Sequence, residues 1–165
     1  MLDAATFGDA ALEPFEQWPC AIYPLSPSES VAGRLLGHAA AVINKVVLDE
    51  AILRDPAAKD LKLIAVAATG TDNVDLDAAR SLGIGVCNVP GYATQSVAQF
   101  TMALILELAS HAGGYVKLVQ EDAWERSPVF TLLDYSCVEL TTKTLGIIGY
   151  GNIGKAVASM ARGLG

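Results

Sequence analysis

Short apolar runs alternate with segments of helical periodicity through the first half of the sequence, and this alternation restricts the fold more than any other feature. The apolar runs occupy residues 21–25, 39–44, 61–70 and 84–91, and the helical segments between them occupy residues 26–37, 48–56 and 72–83. Parallel strands need long crossover connections, which are usually helices. The pattern therefore predicts an α/β domain built on a parallel sheet.

The predicted helices carry signals at their ends. Ser28 is a candidate N-cap for the first helix and Gly37 a candidate stop, and Pro56 ends the second helix because it cannot continue the hydrogen-bonding pattern. Asp72 or Asn73 is predicted to cap the third helix, since short polar side chains accept hydrogen bonds from the free N–H groups at a helix start. These signals define where each helix is expected to begin or end.

A more apolar helix is predicted for residues 96–109. Ser96 and Gln99 have the spacing of a capping box, and ten of the thirteen residues from 97 to 109 are apolar. A helix of this composition is expected to be buried on most of its circumference. The sequence leaves two interpretations open, a core helix between two layers or a helix that also serves an interface between domains or subunits.

The segment 113–143 is the least regular part of the sequence. Two adjacent glycines and Pro128 interrupt it, and Trp124, Phe130 and Tyr135 are among its large side chains. A surface loop has little use for such side chains, so this segment is expected to pack against other apolar surface.

The last part of the sequence contains the strongest functional motif. Residues 144–148 form a short apolar run, residues 149–154 match G-x-G-x-x-G, and helical spacing follows. In a strand–turn–helix unit the first glycine permits the turn, the second lets a pyrophosphate approach the backbone, and the third permits close packing. Free N–H groups at the helix start would then face the phosphate charge. The motif predicts dinucleotide binding, and the alternative is a glycine turn that serves packing alone.

A second candidate site follows the third predicted strand. Thr69 and Gly70 stand where that strand ends, and ligands of parallel sheets bind outside the carboxyl ends of the strands. Backbone N–H groups and a hydroxyl there are suited to hold a substrate carboxylate, although a plain turn would use the same residues. The nearby Asp72, Asp75 and Asp77 lack the glycine and distal glutamate of a calcium loop, so they are assigned to the helix start and no metal site is predicted.

Charge and composition argue against several classes of partner. The net charge is −7 with only 11 Lys and Arg residues, whereas nucleic-acid-binding proteins concentrate positive charge on one face. The longest apolar run has six residues, at 63–68, and a membrane-spanning helix needs about 20. We therefore expect no nucleic-acid partner and no membrane partner.

The cysteines and the N-terminus bear on location. The three cysteines include no C-x-x-C pair, and the acidic N-terminus lacks the features of a secretion signal. Both features favour a reduced, cytoplasmic location.

Two stretches of the sequence, taken together and in this order, resemble one family. They read TGTDNVDLDAARSLGIGVCNVPGYATQSVAQFTMALIL, from Thr69 onward, and about 40 residues later KTLGIIGYGNIGKAVA. They resemble the D-isomer-specific 2-hydroxyacid dehydrogenases, and the part VCNVPGYATQSVAQ is most similar to the glycerate dehydrogenase, or hydroxypyruvate reductase, branch. The resemblance covers about residues 20–165.

The resemblance implies a flavodoxin-like, parallel-sheet substrate domain at residues 1–95, followed at residues 96–165 by a linking helix and the start of a Rossmann-type NAD-binding domain. It also implies NAD as cofactor, with NADP as the alternative, a small 2-hydroxy or 2-oxo acid as substrate, and a homodimer in the full-length protein. By position, Thr69 and Gly70 match the family's substrate-binding loop. The positions that match its cofactor site are Thr69, Val97, Gly149, Tyr150, Gly151, Asn152, Ile153 and Gly154.

The catalytic arginine, glutamate and histidine of the family follow the glycine motif at a distance that lies beyond Gly165, so the resemblance assigns no catalytic residue within residues 1–165. We expect the sequence to be the N-terminal half of such an oxidoreductase and to be nearly inactive alone. Two alternatives stay open: a non-catalytic dinucleotide-binding or scaffold protein on the same fold, and a natural short chain that pairs with a separate partner.

Overall fold

The structure is a computed structural model that describes residues 1–165, except for the side chain of Glu16. The chain divides into two compact units, an N-terminal unit (Met1–Pro90) and a C-terminal unit (Gly91–Gly165). The first unit contains the strands β1 (Ala40–Ile43), β2 (Leu63–Val66) and β3 (Gly85–Cys87), the helices α1 (Glu13–Glu16), α2 (Ser28–Leu35), α3 (Glu50–Leu53) and α4 (Leu76–Ser81), and 3-10 turns at Ala4–Phe7 and Pro56–Ala58. The second contains α5 (Thr94–Ser110), α6 (Ala112–Gln120), α7 (Ala123–Arg126), α8 (Asn152–Ala161) and a 3-10 turn at Arg162–Leu164.

The sheet of the N-terminal unit is parallel, as the alternation in the sequence predicts. β2 lies between β1 and β3, and Leu63 pairs with Ala40 on one side and with Gly85 on the other. Hydrogen bonds extend this sheet beyond β1, because the Leu2 N–H donates to the Val42 carbonyl at 3.0 Å and the Tyr23 N–H donates to the Met1 carbonyl at 3.0 Å.

These bonds give a spatial order of residues 21–25, residues 1–3, β1, β2 and β3. In chain order this is 2-1-3-4-5, the flavodoxin-like arrangement, and it confirms the predicted fold class. Residues 21–25 are hydrogen-bonded to the sheet but are not a regular strand. The consecutive N–H groups of Ala4 and Ala5 donate to the consecutive carbonyls of Tyr23 and Pro24, whereas a regular parallel ladder uses alternate residues.

The core of the N-terminal unit is built on one face of β1 and β2. Alternate residues of β1 and β2 are buried, and the fully buried side chains of Ile43 and Ile64 pack with Leu48 and with Leu35 of α2. Side chains alternate between the two faces of a strand, so one face of each strand fills this core. The apolar runs of the sequence are therefore the source of the unit's stability.

Three helix starts differ from the sequence predictions. Ser28 is the first residue of α2 and Pro27 takes the N-cap position, so Ser28 is not the cap. α4 is capped by Asp75, whose carboxylate accepts the Ala78 N–H at 2.9 Å, and not by Asp72 or Asn73. Residues 71–74 instead form a turn of their own, with the Val74 N–H donating to the Thr71 carbonyl.

The third difference is at α5, which begins at Thr94. The hydroxyl of Ser96 lies inside the first turn and donates to the Ala93 carbonyl at 3.0 Å, so the capping box predicted from Ser96 and Gln99 does not form. A helix that starts two residues earlier places Ser96 at a position where its hydroxyl bonds backward to a carbonyl and accepts no N–H.

α5 packs on α8 in the C-terminal unit and forms a small core with the buried side chains of Ala98, Met102 and Val157. The prediction that this helix is buried on most of its circumference is wrong for this chain, because Phe100 is 67% exposed and Leu108 is 74% exposed. The helix is apolar all round, but α8 covers only one side of it. The described residues 144–148, predicted as a strand, also form no ladder with a neighbouring segment.

The segment after α5 is held together by aromatic side chains. Tyr115 contacts Tyr135 edge to face at 5.3 Å and donates its hydroxyl to the Tyr135 carbonyl at 2.8 Å, and Trp124 contacts Phe130 at 5.2 Å. The aromatic contacts confirm that this segment packs on itself. The confirmation is partial, because Phe130 is still 92% exposed.

α5 and α6 meet at His111, whose backbone φ is 52°. Through the part of the chain that the structure describes, each single helix is too short or too polar to cross a membrane. α5 and α6 reach the required length and composition only when joined, and they are bent by 63°.

Candidate functional site

The glycine turn (residues 149–154) has the backbone that the G-x-G-x-x-G motif requires. Gly149 has φ of +89°, a conformation that side-chain-bearing residues rarely adopt. Gly151 is the N-cap residue of α8, and Gly154 is buried in its first turn. A Cβ on Gly154 would overlap the carbonyl oxygen of Gly149 and would lie 3.3 Å from a methyl group of Ile147. The third glycine therefore permits the close packing that the motif predicts.

The start of α8 offers unsatisfied donors. The Lys155 N–H donates to the Gly151 carbonyl at 2.9 Å, and the N–H groups of Asn152, Ile153 and Gly154 precede the first such bond of the helix. The first turn carries no acidic side chain, and a Cβ on Gly151 would meet no atom within 4 Å in the described structure. The turn is thus an open cradle with positive helix-dipole character, which fits a pyrophosphate group.

The other positions of this unit that the resemblance assigns to a cofactor site are accessible. Tyr150 is 55% exposed, and Ile153, in the first turn of α8, is 43% exposed. Val97 is exposed in the first turn of α5, where its carbonyl accepts a hydrogen bond from the Thr101 hydroxyl at 2.8 Å. These side chains are available to a ligand, and the role of each is a proposal.

The candidate substrate loop (residues 69–73) follows β2 at the carboxyl edge of the sheet. Thr69 and Gly70 are exposed there. The Thr69 hydroxyl donates to the Val89 carbonyl at 3.2 Å, and the Asn88 side chain donates to the Thr69 carbonyl at 2.7 Å. In the described part of the chain, the N–H groups of Gly70 and Thr71 donate to no protein acceptor. An anion at this loop would therefore be bound by backbone N–H groups, because the Thr69 hydroxyl already has an acceptor.

An acidic side chain lies beside this loop. Asp72 Oδ2 lies 3.5 Å from the position that a Cβ on Gly70 would occupy. The negative charge of Asp72 opposes a second carboxylate at the loop, so a bound substrate carboxylate requires a positive charge close to it.

A cavity of about 630 Å³ lies elsewhere in the N-terminal unit, at the amino ends of the strands. Its walls include Trp18, Tyr23 and Arg34, and the Arg34 guanidinium stacks over the Tyr23 ring at 4.1 Å. Ligands of parallel sheets bind at the opposite, carboxyl ends. The edge that carries Thr69 is therefore the candidate substrate site in spite of this cavity.

The sequence predictions missed three polar side chains that hold the region around the loop. They are Asp3, which ends the sheet segment 1–3, Asn73, and Asn88, which follows β3. Each is a short polar residue at or after the carboxyl end of a sheet segment, a signal that marks the region but does not report the hydrogen bonds that the residue makes. No group of three His, Cys, Asp or Glu side chains with metal-binding geometry occurs among the residues described.

Comparisons with known proteins all point to the same family. A family model described as "D-isomer specific 2-hydroxyacid dehydrogenase, catalytic domain" matches residues 4–162. The chain is 36% identical over 149 residues to a hydroxypyruvate reductase of Blautia hydrogenotrophica, which covers 88% of this chain and 46% of that protein. It is 42% identical over 137 residues to a glycerate dehydrogenase of Methylorubrum extorquens, which covers 83% of this chain and 43% of that protein.

A solved structure gives the same result. D-lactate dehydrogenase from Aquifex aeolicus, complexed with NAD and lactic acid, matches with a TM-score of 0.77 and 29% identity, over 92% of this chain and 44% of that one. The chain therefore spans about half the length of the curated relatives it matches.

Proposed function

The chain belongs to the D-isomer specific 2-hydroxyacid dehydrogenase family, and on this premise we propose that it forms part of an oxidoreductase that interconverts a D-2-hydroxy acid and the corresponding 2-oxo acid. The resemblance inferred from the two sequence stretches is confirmed at the level of the family. The names of two relatives, a hydroxypyruvate reductase and a glycerate dehydrogenase, support a substrate of the glycerate or hydroxypyruvate type.

The observation that carries this proposal is the glycine turn. Gly149 makes the turn, Gly151 leaves the approach to the helix start open, and Gly154 allows α8 to pack against the turn. These features fit the pyrophosphate of a dinucleotide. We propose NAD as the cofactor, as in the Aquifex aeolicus structure, with NADP as the alternative. Once bound, the nicotinamide supplies or accepts the hydride at C2 of the substrate.

The substrate carboxylate is assigned to the loop after β2. The free N–H groups of Gly70 and Thr71 are donors for one carboxylate oxygen, and Thr69 holds the loop through its own hydrogen bonds to the chain after β3. The charge of Asp72 means that this binding needs a cation. An arginine is the expected source, and the family resemblance places it after residue 165.

The remaining assignments follow the family resemblance. Val97, Tyr150, Asn152 and Ile153 are proposed to contact the cofactor, because they are exposed beside the helix starts of the C-terminal unit. The exposed apolar side of α5 supports a homodimer of the full-length protein. The three free, exposed cysteines support a reducing, cytoplasmic location.

The proposal is tested on the natural gene product that contains residues 1–165, assayed for NADH oxidation with hydroxypyruvate. We expect turnover by that product and none by the 165-residue chain, because the acid–base residues are assigned outside it. Robust turnover by the 165-residue chain would show that this assignment is wrong. Binding of NADH without turnover of any 2-oxo acid would favour the non-catalytic, dinucleotide-binding alternative.

A variant tests the glycine turn directly. Gly151→Val places a branched side chain on an extended backbone that accepts it, since Gly151 has φ −81° and ψ −158° and no atom lies within 4 Å of its Cβ position. We expect it to weaken NADH binding by about a hundredfold or more, through obstruction of the pyrophosphate. Gly163→Val is the matched control, because its Cβ position is equally open. Equal binding by both variants would remove the turn from the site.

A further inference from the structure

Asp3 is a carboxylate buried at the carboxyl end of the sheet segment 1–3, with 2% of its surface exposed. Its oxygens accept the N–H groups of three consecutive residues, Asn44 at 3.0 and 3.1 Å, Lys45 at 2.5 Å and Val46 at 3.1 Å. Successive N–H groups directed at one anion form a nest. A buried carboxylate is stable only when it is hydrogen-bonded in this way, so Asp3 fixes residues 44–46 in one conformation.

This nest lies between segment 1–3 and β1, at the point where the strand order of the sheet reverses. Segment 1–3 lies directly beside β1, while residues 21–25 continue the sheet on its other side. Open parallel sheets commonly bind ligands at such a switch point. Here the carboxylate of Asp3 accepts the N–H groups of residues 44–46, so these donors are not free for a ligand.

The conformation that Asp3 imposes also orients two carbonyl groups. The Asn73 side-chain amide donates to the Val46 carbonyl at 2.8 Å and to the Asn44 carbonyl at 3.4 Å. The main chain of Asn73 adds a third link, since its carbonyl accepts the Leu48 N–H at 2.8 Å. Asn73 is therefore bonded through both its side chain and its backbone to the segment that Asp3 fixes.

Asn73 forms one end of the candidate substrate loop, and the other end is also held. Asn88 donates to the Thr69 carbonyl, and the Val89 N–H donates to the Ala68 carbonyl at 3.0 Å. Between these two anchors, the N–H groups of Gly70 and Thr71 stay without a protein acceptor. Donors held in place before binding lose little entropy when the ligand arrives.

We propose that Asn73 is a positioning residue that holds the candidate substrate loop in its binding conformation, and that Asp3 sets the carbonyl oxygens on which Asn73 depends. The proposal rests on the function proposed above, because it assigns the loop to the substrate carboxylate. It adds two residues that act on the loop through other groups and do not touch the substrate.

The experiment compares Asn73→Ala and Asn73→Asp with the parent in the natural gene product that contains this chain. Both variants lack the donor, and the aspartate also places a negative charge against two carbonyl oxygens. We expect the KM for the 2-oxo acid to rise about tenfold for the alanine and further for the aspartate, while the KM for NADH stays unchanged. Asp3→Asn is expected to raise the same KM, since an amide replaces an acceptor of three N–H groups.

The matched control is Asp55→Ala. Asp55 accepts the Ala57 N–H at 2.8 Å at the start of a 3-10 turn and has no contact with the loop. It is expected to lower thermal stability without a change in either KM. A purely structural role for Asn73 would give the same result as this control, with both KM values unchanged, and would overturn the proposal.

Hydrogen exchange in the 165-residue chain separates this proposal from the proposed function. The Val74 N–H donates to the Thr71 carbonyl and reports the loop conformation without any activity. We expect Asn73→Ala to accelerate exchange at Val74 by about tenfold and to leave β3 unchanged. If exchange at Val74 is faster in the variant but the parent enzyme turns over no 2-oxo acid, the proposed function is wrong and the positioning role of Asn73 stands. Unchanged exchange would overturn the positioning role.

Discussion

The two units of this chain differ in how much apolar surface each buries on its own. In the N-terminal unit, Ile43, Leu48 and Ile64 are fully buried around a parallel sheet. The small core of the C-terminal unit is formed by Ala98, Met102 and Val157 between two helices. Large apolar side chains such as Phe100 and Ile148 stay exposed there. Burial of apolar surface is the main favourable term in folding, so the two units should differ in stability.

The two units also differ in how each holds its candidate site. The N-terminal unit holds its candidate loop between hydrogen bonds from Asn73 and Asn88, which keeps the donors of the loop in place. The C-terminal unit has a well-formed glycine turn, but the apolar run before it has no ladder partner among the described residues. Precise geometry at the glycine turn thus depends on a local backbone motif, and does not require a large core around it.

The two tryptophans allow the stability difference to be measured directly. Trp18 belongs to the N-terminal unit and Trp124 to the C-terminal unit, and the chain has no others. In urea unfolding followed by fluorescence, the Trp124→Phe variant reports the first unit and the Trp18→Phe variant the second. We expect the midpoint of the C-terminal unit to be lower by roughly 1 M urea or more. Coincident midpoints would contradict the comparison.

A pair of isoleucines sharpens the same comparison at single side chains. Ile64 is fully buried in β2, whereas Ile148 is fully exposed before the glycine turn. Ile64→Ala should lower the free energy of unfolding of the first unit by about 2–5 kcal/mol, since it leaves a cavity. Ile148→Ala should change the second unit by about 0.5 kcal/mol or less. A large loss at Ile148 would mean that this side chain is buried in the protein in solution.

Gly154 tests the claim that the glycine turn is set by local packing. Ala is favoured over Gly inside a helix by about 1 kcal/mol, so helix propensity alone predicts that Gly154→Ala stabilises α8. The overlap of the new Cβ with the Gly149 carbonyl predicts the opposite, a net loss of about 1–3 kcal/mol. The urea transition of Trp124 measures the sign. Gly163→Ala, with no neighbour within 4 Å of its Cβ position, is expected to show no such loss.

The elements of the N-terminal unit could be predicted because their signals are local. β1, β2 and β3 all lie within the predicted apolar runs, and the helices α2, α3 and α4 lie within the predicted helical segments. Residues 144–148 have the same apolar character as β2 but form no strand here. A strand is defined by hydrogen bonds to a neighbour, and sequence periodicity does not report whether a neighbour is beside it. The exposed side of α5 was mispredicted for the same reason.

The candidate sites show the same division. The glycine turn was predictable, because each glycine has a backbone or packing requirement that its spacing in the sequence displays. The hydrogen bonds that Asp3 accepts and that the Asn73 side chain donates were not predictable, because they join residues more than 20 positions apart. Asn73 was predicted to cap a helix, and tertiary contacts with the carbonyls of residues 44 and 46 occupy its side chain instead.

The smallest expected effects are those of substitutions at the starts of α4 and α5, where the observed caps differ from the predicted ones. Asp75 accepts the Ala78 N–H at 2.9 Å, so Asp75→Ala should cost the first unit about 1 kcal/mol. Ser96 bonds backward to the Ala93 carbonyl, so Ser96→Ala should leave the second unit within about 0.5 kcal/mol. The single-tryptophan urea transitions measure both changes. If Ser96 formed a capping box, Ser96→Ala would instead cost about as much as Asp75→Ala or more, because it would remove an acceptor of a helix-start N–H.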